Sequence, residues 1–344
     1  MRRLSYYLLL LQLCLLFAVL PAHAGSVKPD QARLQQLDQF AFNADARYTS
    51  DVRTLATYLS KGAKTDYEKA RVIFAWVAKN IRYDDYGYNT GKFIDQKPES
   101  VLKNRRSVCD GYAQLYKALG EAMGLEVEKV SGYAKGYAYR PGTTFARTNH
   151  AWNAVKIDNR WILVDPTWAA GSATSVNGRL KTIYTYDPYW FDVEPHAFLF
   201  SHMPVRPEYQ NISNPISLPQ YQQLAEVDPS MFRLGIRGAD VLQNLLSGKI
   251  KSLPETWKTD LSISFQDVPL TEKLQPGKLY TLSFTVADDV DIIVNNGKDW
   301  HHFTEKGNTR TLQIKPEIGH VAVMARKKGT KVNYSYFLQY KVER

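Results

Sequence analysis

The chain is 344 residues long, 44% hydrophobic and 23% charged, which is an ordinary globular composition with room for two domains. The formal net charge is +10, but the basic residues are scattered and no block of five like charges occurs, so we expect no nucleic-acid partner.

The first 24 residues have the pattern of a secretory signal peptide. Two arginines precede an apolar stretch, 8–20, and the small-residue site Ala22-His23-Ala24 follows. This stretch is shorter than the roughly 18 residues of a membrane span, so we expect no transmembrane anchor. We expect cleavage near Ala24, which would leave a secreted or periplasmic protein. Cys14 would be removed with this leader. A lipoprotein signal is the less favoured alternative, since leucine precedes Cys14.

Two helices are expected in the first half of the mature chain. Thr65-Asp66-Tyr67-Glu68 has the form of a capping box, and apolar residues then recur at helical spacing as far as Ile81, which predicts one apolar face. A second helix is expected over 110–123, with Gly124 ending it. Cys109 stands at its start, where unpaired backbone N–H groups and the helix dipole favour a thiolate.

A β-hairpin is predicted after these helices. Its strands cover 150–157 and 161–165, with Asp158-Asn159 as the turn. This register places Trp152 opposite Asp165, and it places His150 and Asp165 on the same face as diagonal neighbours. A thiol, an imidazole and a carboxylate that orients the imidazole are the parts of nucleophilic catalysis by cysteine.

The second half of the chain is expected to be a separate β-rich domain. Prolines crowd the region 205–225, so a linker is placed at 211–225, after a catalytic domain at 51–210 and an N-terminal extension at 25–50. Residues 226–344 begin with a short helix near 240–246 and then read as strands whose alternate residues are buried. The residues expected to point inward are Leu261, Ile263, Phe265, Tyr280, Leu282, Phe284, Val286, Val332, Tyr334, Tyr336, Leu338, Tyr340 and Val342. We expect an immunoglobulin-like β-sandwich with a binding or positioning role.

Four motifs follow one another along the chain: Phe74-Ala75-Trp76-Val77-Ala78-Lys79-Asn80-Ile81-Arg82-Tyr83-Asp84, Val108-Cys109-Asp110-Gly111-Tyr112-Ala113, Asn149-His150-Ala151-Trp152-Asn153 and Val164-Asp165-Pro166-Thr167-Trp168. In this order they resemble the transglutaminase-like (papain-like) superfamily, and within it the branch of the kyphoscoliosis peptidase and related bacterial secreted proteins. The resemblance implies an α+β fold in which the nucleophile helix packs on an antiparallel sheet. It also implies Cys109 as nucleophile, His150 as base and Asp165 as the orienting acid.

The remaining site residues are less well defined by the sequence. Gln96, Trp76 and Tyr83 are candidates for the second oxyanion donor, and Gln96 is preferred because a neutral amide can donate without titrating. Trp152 and Trp168 are candidate substrate-binding residues, although packing against the helix layer is the more common role for such tryptophans. No metal or other cofactor is expected, because the other histidines, His202 among them, lack metal-site spacing and no calcium motif occurs.

The sequence therefore predicts a secreted cysteine peptidase or related hydrolase that forms a thioester on Cys109. It would cleave peptide or isopeptide bonds in a peptide or protein substrate, and an envelope-associated substrate is one option. Transamidation with an amine acceptor passes through the same thioester and stays open. A non-catalytic binding protein that keeps the fold is the third alternative.

Overall fold

The computed structural model describes residues 28–344, so the expected signal peptide and Cys14 lie outside the described residues. Within this range the helices are α1 (Gln31–Phe42), α2 (Val52–Ser60), α3 (Asp66–Asn80), α4 (Asp85–Thr90), α5 (Pro98–Asn104), α6 (Cys109–Ala122), α7 (Pro166–Ala169), α8 (Pro195–Phe198), α9 (Leu218–Gln223), α10 (Ser230–Arg233) and α11 (Gly238–Leu246). None of these described helices combines the length and apolar character that crossing a membrane requires.

The strands, in the same range, are β1 (Arg82–Tyr83), β2 (Arg106–Ser107), β3 (Glu126–Ala134), β4 (His150–Ile157), β5 (Arg160–Val164), β6 (Ser172–Val176), β7 (Arg179–Ile183), β8 (His202–Pro204), β9 (Glu255–Thr256), β10 (Ile263–Asp267), β11 (Lys273–Leu274), β12 (Tyr280–Val286), β13 (Val290–Asn296), β14 (Asp299–His302), β15 (Thr304–Lys306), β16 (Thr309–Ile314), β17 (Gly319–Lys327) and β18 (Ser335–Val342).

Helix α3 lies at the centre of the N-terminal helical layer. Thr65 caps it by accepting the Glu68 backbone N–H at 3.2 Å, but the Glu68 carboxylate pairs with Arg33 of α1 and does not close the predicted capping box. The prediction of a single apolar face is also wrong, since every residue from 70 to 78 is buried. Helix α1 packs along α3 and covers a second side of it.

Helix α6 packs on the antiparallel sheet β5-β4-β3-β8. It begins at Cys109 and is followed by Gly124 at a φ of +79°, which confirms the predicted helix and its end. The fully buried amide of Asn153 on β4 donates from Nδ2 to the Ala113 carbonyl of α6 at 3.0 Å. Because a buried amide needs its partners, this bond fixes the start of α6 relative to β4.

The predicted hairpin is present with the predicted register. Ile157 pairs with Arg160, so Asp158 and Asn159 are the two turn residues, and Asn153 pairs with Val164. On its other side β4 pairs with β3, which in turn pairs with β8, so the starts of β4 and β8 flank the end of β3. Three strand ends therefore meet near the N-terminus of α6.

Two sheets form the C-terminal region. One has the strand order β10-β12-β16-β15, and the other has β11-β18-β17-β13-β14 with β9 on the edge of β18. Residues from both sheets, such as Phe284 and Val294, are fully buried in one hydrophobic cluster. This packing of two sheets over a shared core is a β-sandwich.

The last strand departs from the predicted alternation. Val332 and Tyr336 are 66% and 52% exposed, whereas Phe337 is fully buried. Strand β17 pairs Val323 with Leu338 but Met324 with Tyr336, so Phe337 is an extra residue in β18, a β-bulge. The bulge shifts the inward face by one position, and the predicted inward residues are correct only from Leu338 onward.

Residues 211–225, expected to be a linker, include α9 and pack into a hydrophobic cluster that also contains Met203 of β8 and Val241 of α11. Tyr221 in this segment is fully buried, and its hydroxyl donates to the Ser201 carbonyl at 2.9 Å. The segment therefore contacts the sheet that carries the site. The limits of the two domains stay a prediction.

Candidate active site

The site begins at the first residue of α6. Cys109 is partly exposed there, and its N-cap, Val108, offers no side-chain hydrogen bond to the helix. Gln96 supplies the missing acceptor, because its Oε1 accepts from the backbone N–H groups of Val108 and Gly111 at 3.3 and 3.2 Å and from the Ser107 hydroxyl at 2.6 Å. The start of α6 is thus held by a side chain from outside the helix.

Gly111 is required for this close packing. A Cβ at this position would lie 2.9 Å from Gln96 Oε1 and 2.7 Å from Val101 Cγ2, and it would overlap Ser107 Oγ. We expect Gly111→Ala to lower the free energy of unfolding by about 1–3 kcal/mol, as overpacked sites do. Urea denaturation followed by circular dichroism measures this. An increase in stability, which helix propensity alone would give, would show that the contacts around Gln96 are loose.

The imidazole of His150 connects the sulfur to a carboxylate. Its Nε2 lies 2.7 Å from Asp165 Oδ2, and its side chain is 7% exposed. Burial by itself lowers the pKa of His150, but the negative charges of Asp165 and Cys109, and hydrogen bonds with both groups, outweigh it and raise that pKa to about 10. Because Nε2 is engaged with Asp165, Nδ1 is the ring nitrogen left for the sulfur.

Asp165 is a fully buried carboxylate that accepts bonds on both oxygens. Its Oδ1 caps α7 by accepting the backbone N–H groups of Thr167 and Trp168 at 2.8 and 3.1 Å. Burial would raise the pKa of Asp165, but the charge of His150 and the hydrogen bonds from His150 and His202 lower it well below its usual range. Asp165 is therefore ionised at neutral pH despite its burial.

The sequence interpretation missed His202. Its Nε2 lies 3.0 Å from the same Asp165 Oδ2, its Nδ1 lies 2.7 Å from Ser201 Oγ, and its side chain is completely buried. Burial, the largest effect, lowers the pKa of His202 to about 4. Only the pairing of β8 with β3, which no local sequence pattern encodes, brings this residue to Asp165.

His150, Asp165 and His202 also form the one group among residues 28–344 whose geometry could suit a metal ion, with ligand atoms within 4.8 Å of one another. Both imidazoles, however, hydrogen-bond the carboxylate directly, and the other carboxylate oxygen is taken by backbone N–H groups. A metal ion would have to replace these bonds. We interpret the group as a hydrogen-bonded cluster of side chains.

The two candidate substrate-binding tryptophans lie in different surroundings. Trp152 is fully buried and packs edge-on against Phe198 and against His202, so the expectation that it contacts substrate is wrong. Its large side chain belongs to the core beneath the site. Trp168 is partly exposed, with its ring centroid 5.6 Å from that of His150.

A cleft of about 690 Å³ opens beside His150 and Trp168. Its lining includes Tyr83 and Tyr88, and also Arg233 and Lys258 from beyond the expected linker. Arg233 is held by a bidentate ion pair with Asp187, with an Nη1–Oδ1 distance of 2.9 Å. The C-terminal region therefore contributes to the cleft in which His150 lies.

Of the three candidate oxyanion donors, Tyr83 is the one that lines the cleft. Gln96 directs its oxygen toward α6 and donates its amide N–H to the Ile94 carbonyl, whereas an oxyanion needs a donor. Trp76 is fully buried within α3. Tyr83 lines the cleft, and burial followed by the negative charge of the Cys109 sulfur raises its pKa, so its hydroxyl stays protonated near the sulfur.

Comparison with known proteins agrees with this geometry. Residues 53–166 match the family model of the transglutaminase-like superfamily. Kyphoscoliosis peptidase of Homo sapiens is 32% identical over 198 residues, which cover 57% of this chain and 29% of that protein. Hillarin of Drosophila melanogaster is 28% identical over 225 residues, which cover 61% of this chain and 27% of that protein.

The chain thus spans less than a third of the length of these curated relatives. A solved structure of a TGase aligns over 49% of this chain and 41% of that one, at 16% identity and a TM-score of 0.29, which is too low to support an argument. The sequence match includes the start of α6, with Cys109, and strands β4 and β5 as far as Asp165. Over residues 53–166 this chain is therefore similar to the transglutaminase-like superfamily.

Proposed function

We propose that the protein is a thiol acyl-transfer enzyme that hydrolyses peptide or isopeptide bonds, with Cys109 as nucleophile, His150 as acid and base, and Asp165 as the orienting acid. The observation that carries the proposal is the 2.7 Å contact between His150 Nε2 and the buried, ionised Asp165. This contact leaves Nδ1 directed to the sulfur at the helix N-terminus, where negative charge is favoured.

Each step of the reaction has a residue to perform it. The Cys109 thiolate attacks the carbonyl carbon, and the protonated His150 transfers its Nδ1 proton to the leaving amine as the C–N bond breaks. The product is a thioester on Sγ and a neutral imidazole. That imidazole then takes a proton from water, whose oxygen attacks the thioester and releases the acid and the thiolate.

The oxyanion formed in both steps needs two donors. The backbone N–H of Cys109, in the first turn of α6, supplies one, and we assign the second to the Tyr83 hydroxyl. We expect Tyr83→Phe to slow acylation of Cys109 by p-nitrophenyl acetate by about 10²-fold, the usual loss for one such donor. Tyr88→Phe serves as the control, because Tyr88 also lines the cleft.

Alkylation of Cys109 by iodoacetamide separates this role from a general disturbance of the site, because alkylation forms no oxyanion. Tyr83→Phe should therefore keep the wild-type alkylation rate. Equal losses in alkylation and acylation would assign Tyr83 to packing around the sulfur, and no loss in acylation would remove it from the mechanism.

Hydrolysis is preferred over transamidation because the relatives with the higher identities include proteins named peptidases. A mixture of synthetic peptides should yield new amino termini with the wild type and none with Cys109→Ala. A second sample adds the primary amine cadaverine and a glutamine-containing peptide. Incorporation of cadaverine without peptide cleavage would assign the protein to transamidation. If neither reaction occurs and p-nitrophenyl acetate does not acetylate Cys109, a binding role is favoured.

We also propose that the C-terminal region positions the substrate. Arg233 and Lys258 border the same cleft as His150, so a bound peptide would contact both halves of the chain. Export is a further part of the proposal, supported by the signal-peptide pattern of residues 1–24.

A further inference from the structure

His202 has an unusual environment for an imidazole. It is fully buried, and its ring stacks on Phe198 with the centroids 4.0 Å apart. The indole rings of three tryptophans also lie against it: Trp152, Trp168 and Trp190. The titratable groups that face it are Asp165 and His150. A histidine enclosed in this way is held in one orientation and has no route to solvent.

The hydrogen bonds of His202 define its tautomer. An ionised Asp165 only accepts, so Nε2 must hold a proton. In a neutral ring Nδ1 is then an acceptor, and the Ser201 hydroxyl, 2.7 Å away, donates to it rather than to the Phe198 carbonyl at 3.3 Å. Nε2 then carries the proton and donates it to Asp165 Oδ2 at 3.0 Å. The opposite tautomer would point a lone pair at a carboxylate oxygen. The low pKa of about 4 agrees with a neutral ring.

Asp165 consequently receives four N–H donors, and His202 is the one that neither belongs to α7 nor takes part in proton transfer. The two backbone donors of α7 hold Oδ1, and His202 and His150 share Oδ2. Without His202, the only partner of Oδ2 would be the ring that Asp165 must orient. The carboxylate could then rotate or move together with His150.

We propose that His202 is a positioning residue of this site: as a neutral donor clamped by Ser201, it fixes the carboxylate of Asp165 so that His150 presents Nδ1 to Cys109. The inference rests on the proposed function, since it assigns no chemistry to His202 itself. It adds a fourth side chain to the set that the reaction requires, at a distance from the sulfur.

Two substitutions separate positioning from packing. His202→Phe keeps an aromatic ring on Phe198 but removes the donor, whereas His202→Gln gives up the ring and keeps an N–H that can reach Asp165. We expect His202→Phe to lower the rate constant for alkylation of Cys109 by iodoacetamide at pH 7 by about tenfold, the lower end of the range for lost supporting hydrogen bonds. We expect His202→Gln to stay within about threefold of wild type, since the donor remains.

A measurement on the unaltered protein accompanies these variants. Nitrogen-15 NMR of labelled histidine, with His202 assigned from the His202→Gln spectrum, should show a neutral ring protonated at Nε2 at pH 7. A charged ring or an Nδ1–H tautomer overturns the inference. So does a folded His202→Phe variant with the wild-type rate, or loss of rate in His202→Gln equal to that in His202→Phe.

The proposed function can fail separately from this inference. If Cys109 is alkylated at the wild-type rate in both His150→Gln and Asp165→Asn, the reactive pair of Cys109 and His150 is absent. If alkylation is slow in those two variants but not in His202→Phe, the reactive pair is supported and only the role proposed for His202 is wrong.

Discussion

Asp165→Asn is expected to lower the rate at which p-nitrophenyl acetate acylates Cys109 by at least about 10²-fold. The substitution keeps the shape of the side chain but removes its charge, so the pKa of His150 falls from its raised value. An amide nitrogen in place of Oδ2 would also donate to His150 Nε2. The ring would then carry its proton on the wrong nitrogen or reorient.

The control for this variant is a second buried carboxylate, one that does not line the cleft. Asp38 is 5% exposed and forms a bidentate ion pair with Arg71, with both N–O distances at 2.7 Å. Asp38→Asn should lower the stability to urea while leaving acylation unchanged. If both variants lose acylation equally, the effect of Asp165 is one of folding, and the orienting role is wrong.

His150→Gln is expected to lower alkylation of Cys109 at pH 6 by about 10²-fold or more. With a raised pKa, the wild-type imidazole is positively charged at this pH and stabilises a thiolate beside it. Glutamine can accept or donate a hydrogen bond but carries no charge, so the sulfur would be left as a thiol at pH 6. Mass spectrometry of the Cys109 peptide follows the reaction without interference from Cys14.

His196 provides a matched control, because it also pairs with a carboxylate. Its Nδ1 lies 2.6 Å from Glu194 Oε1, at the surface of α8. His196→Gln should alkylate at the wild-type rate. A wild-type rate in His150→Gln as well would mean that the imidazole does not act on the sulfur.

Local sequence patterns were sufficient to predict the helix and the hairpin that carry the three main site residues. The start of α6 at Cys109, its end before Gly124, and the register that brings His150 to Asp165 follow from helix signals and from the period of two in a hairpin. These features depend on residues close to one another in the chain. They could therefore be predicted without knowledge of the tertiary structure.

Contacts between distant segments were not readable in the same way. His202 reaches Asp165 only because β8 pairs with β3, and Gln96 caps α6 with its oxygen from a loop ahead of α5. The bulge at Phe337 likewise depends on the pairing of β18 with β17. In each case the partner is selected by tertiary packing, which local propensity and spacing do not specify.

The central claim is that the resting site holds a charged pair of thiolate and imidazolium, and the pH dependence of Cys109 alkylation measures this most directly. For the wild type, we expect a rate constant that is nearly flat from pH 6 to pH 8, because the positive charge of His150 that favours a thiolate persists across this range. A rate constant that rises about tenfold per pH unit over the same range, as for an ordinary thiol, would contradict the account.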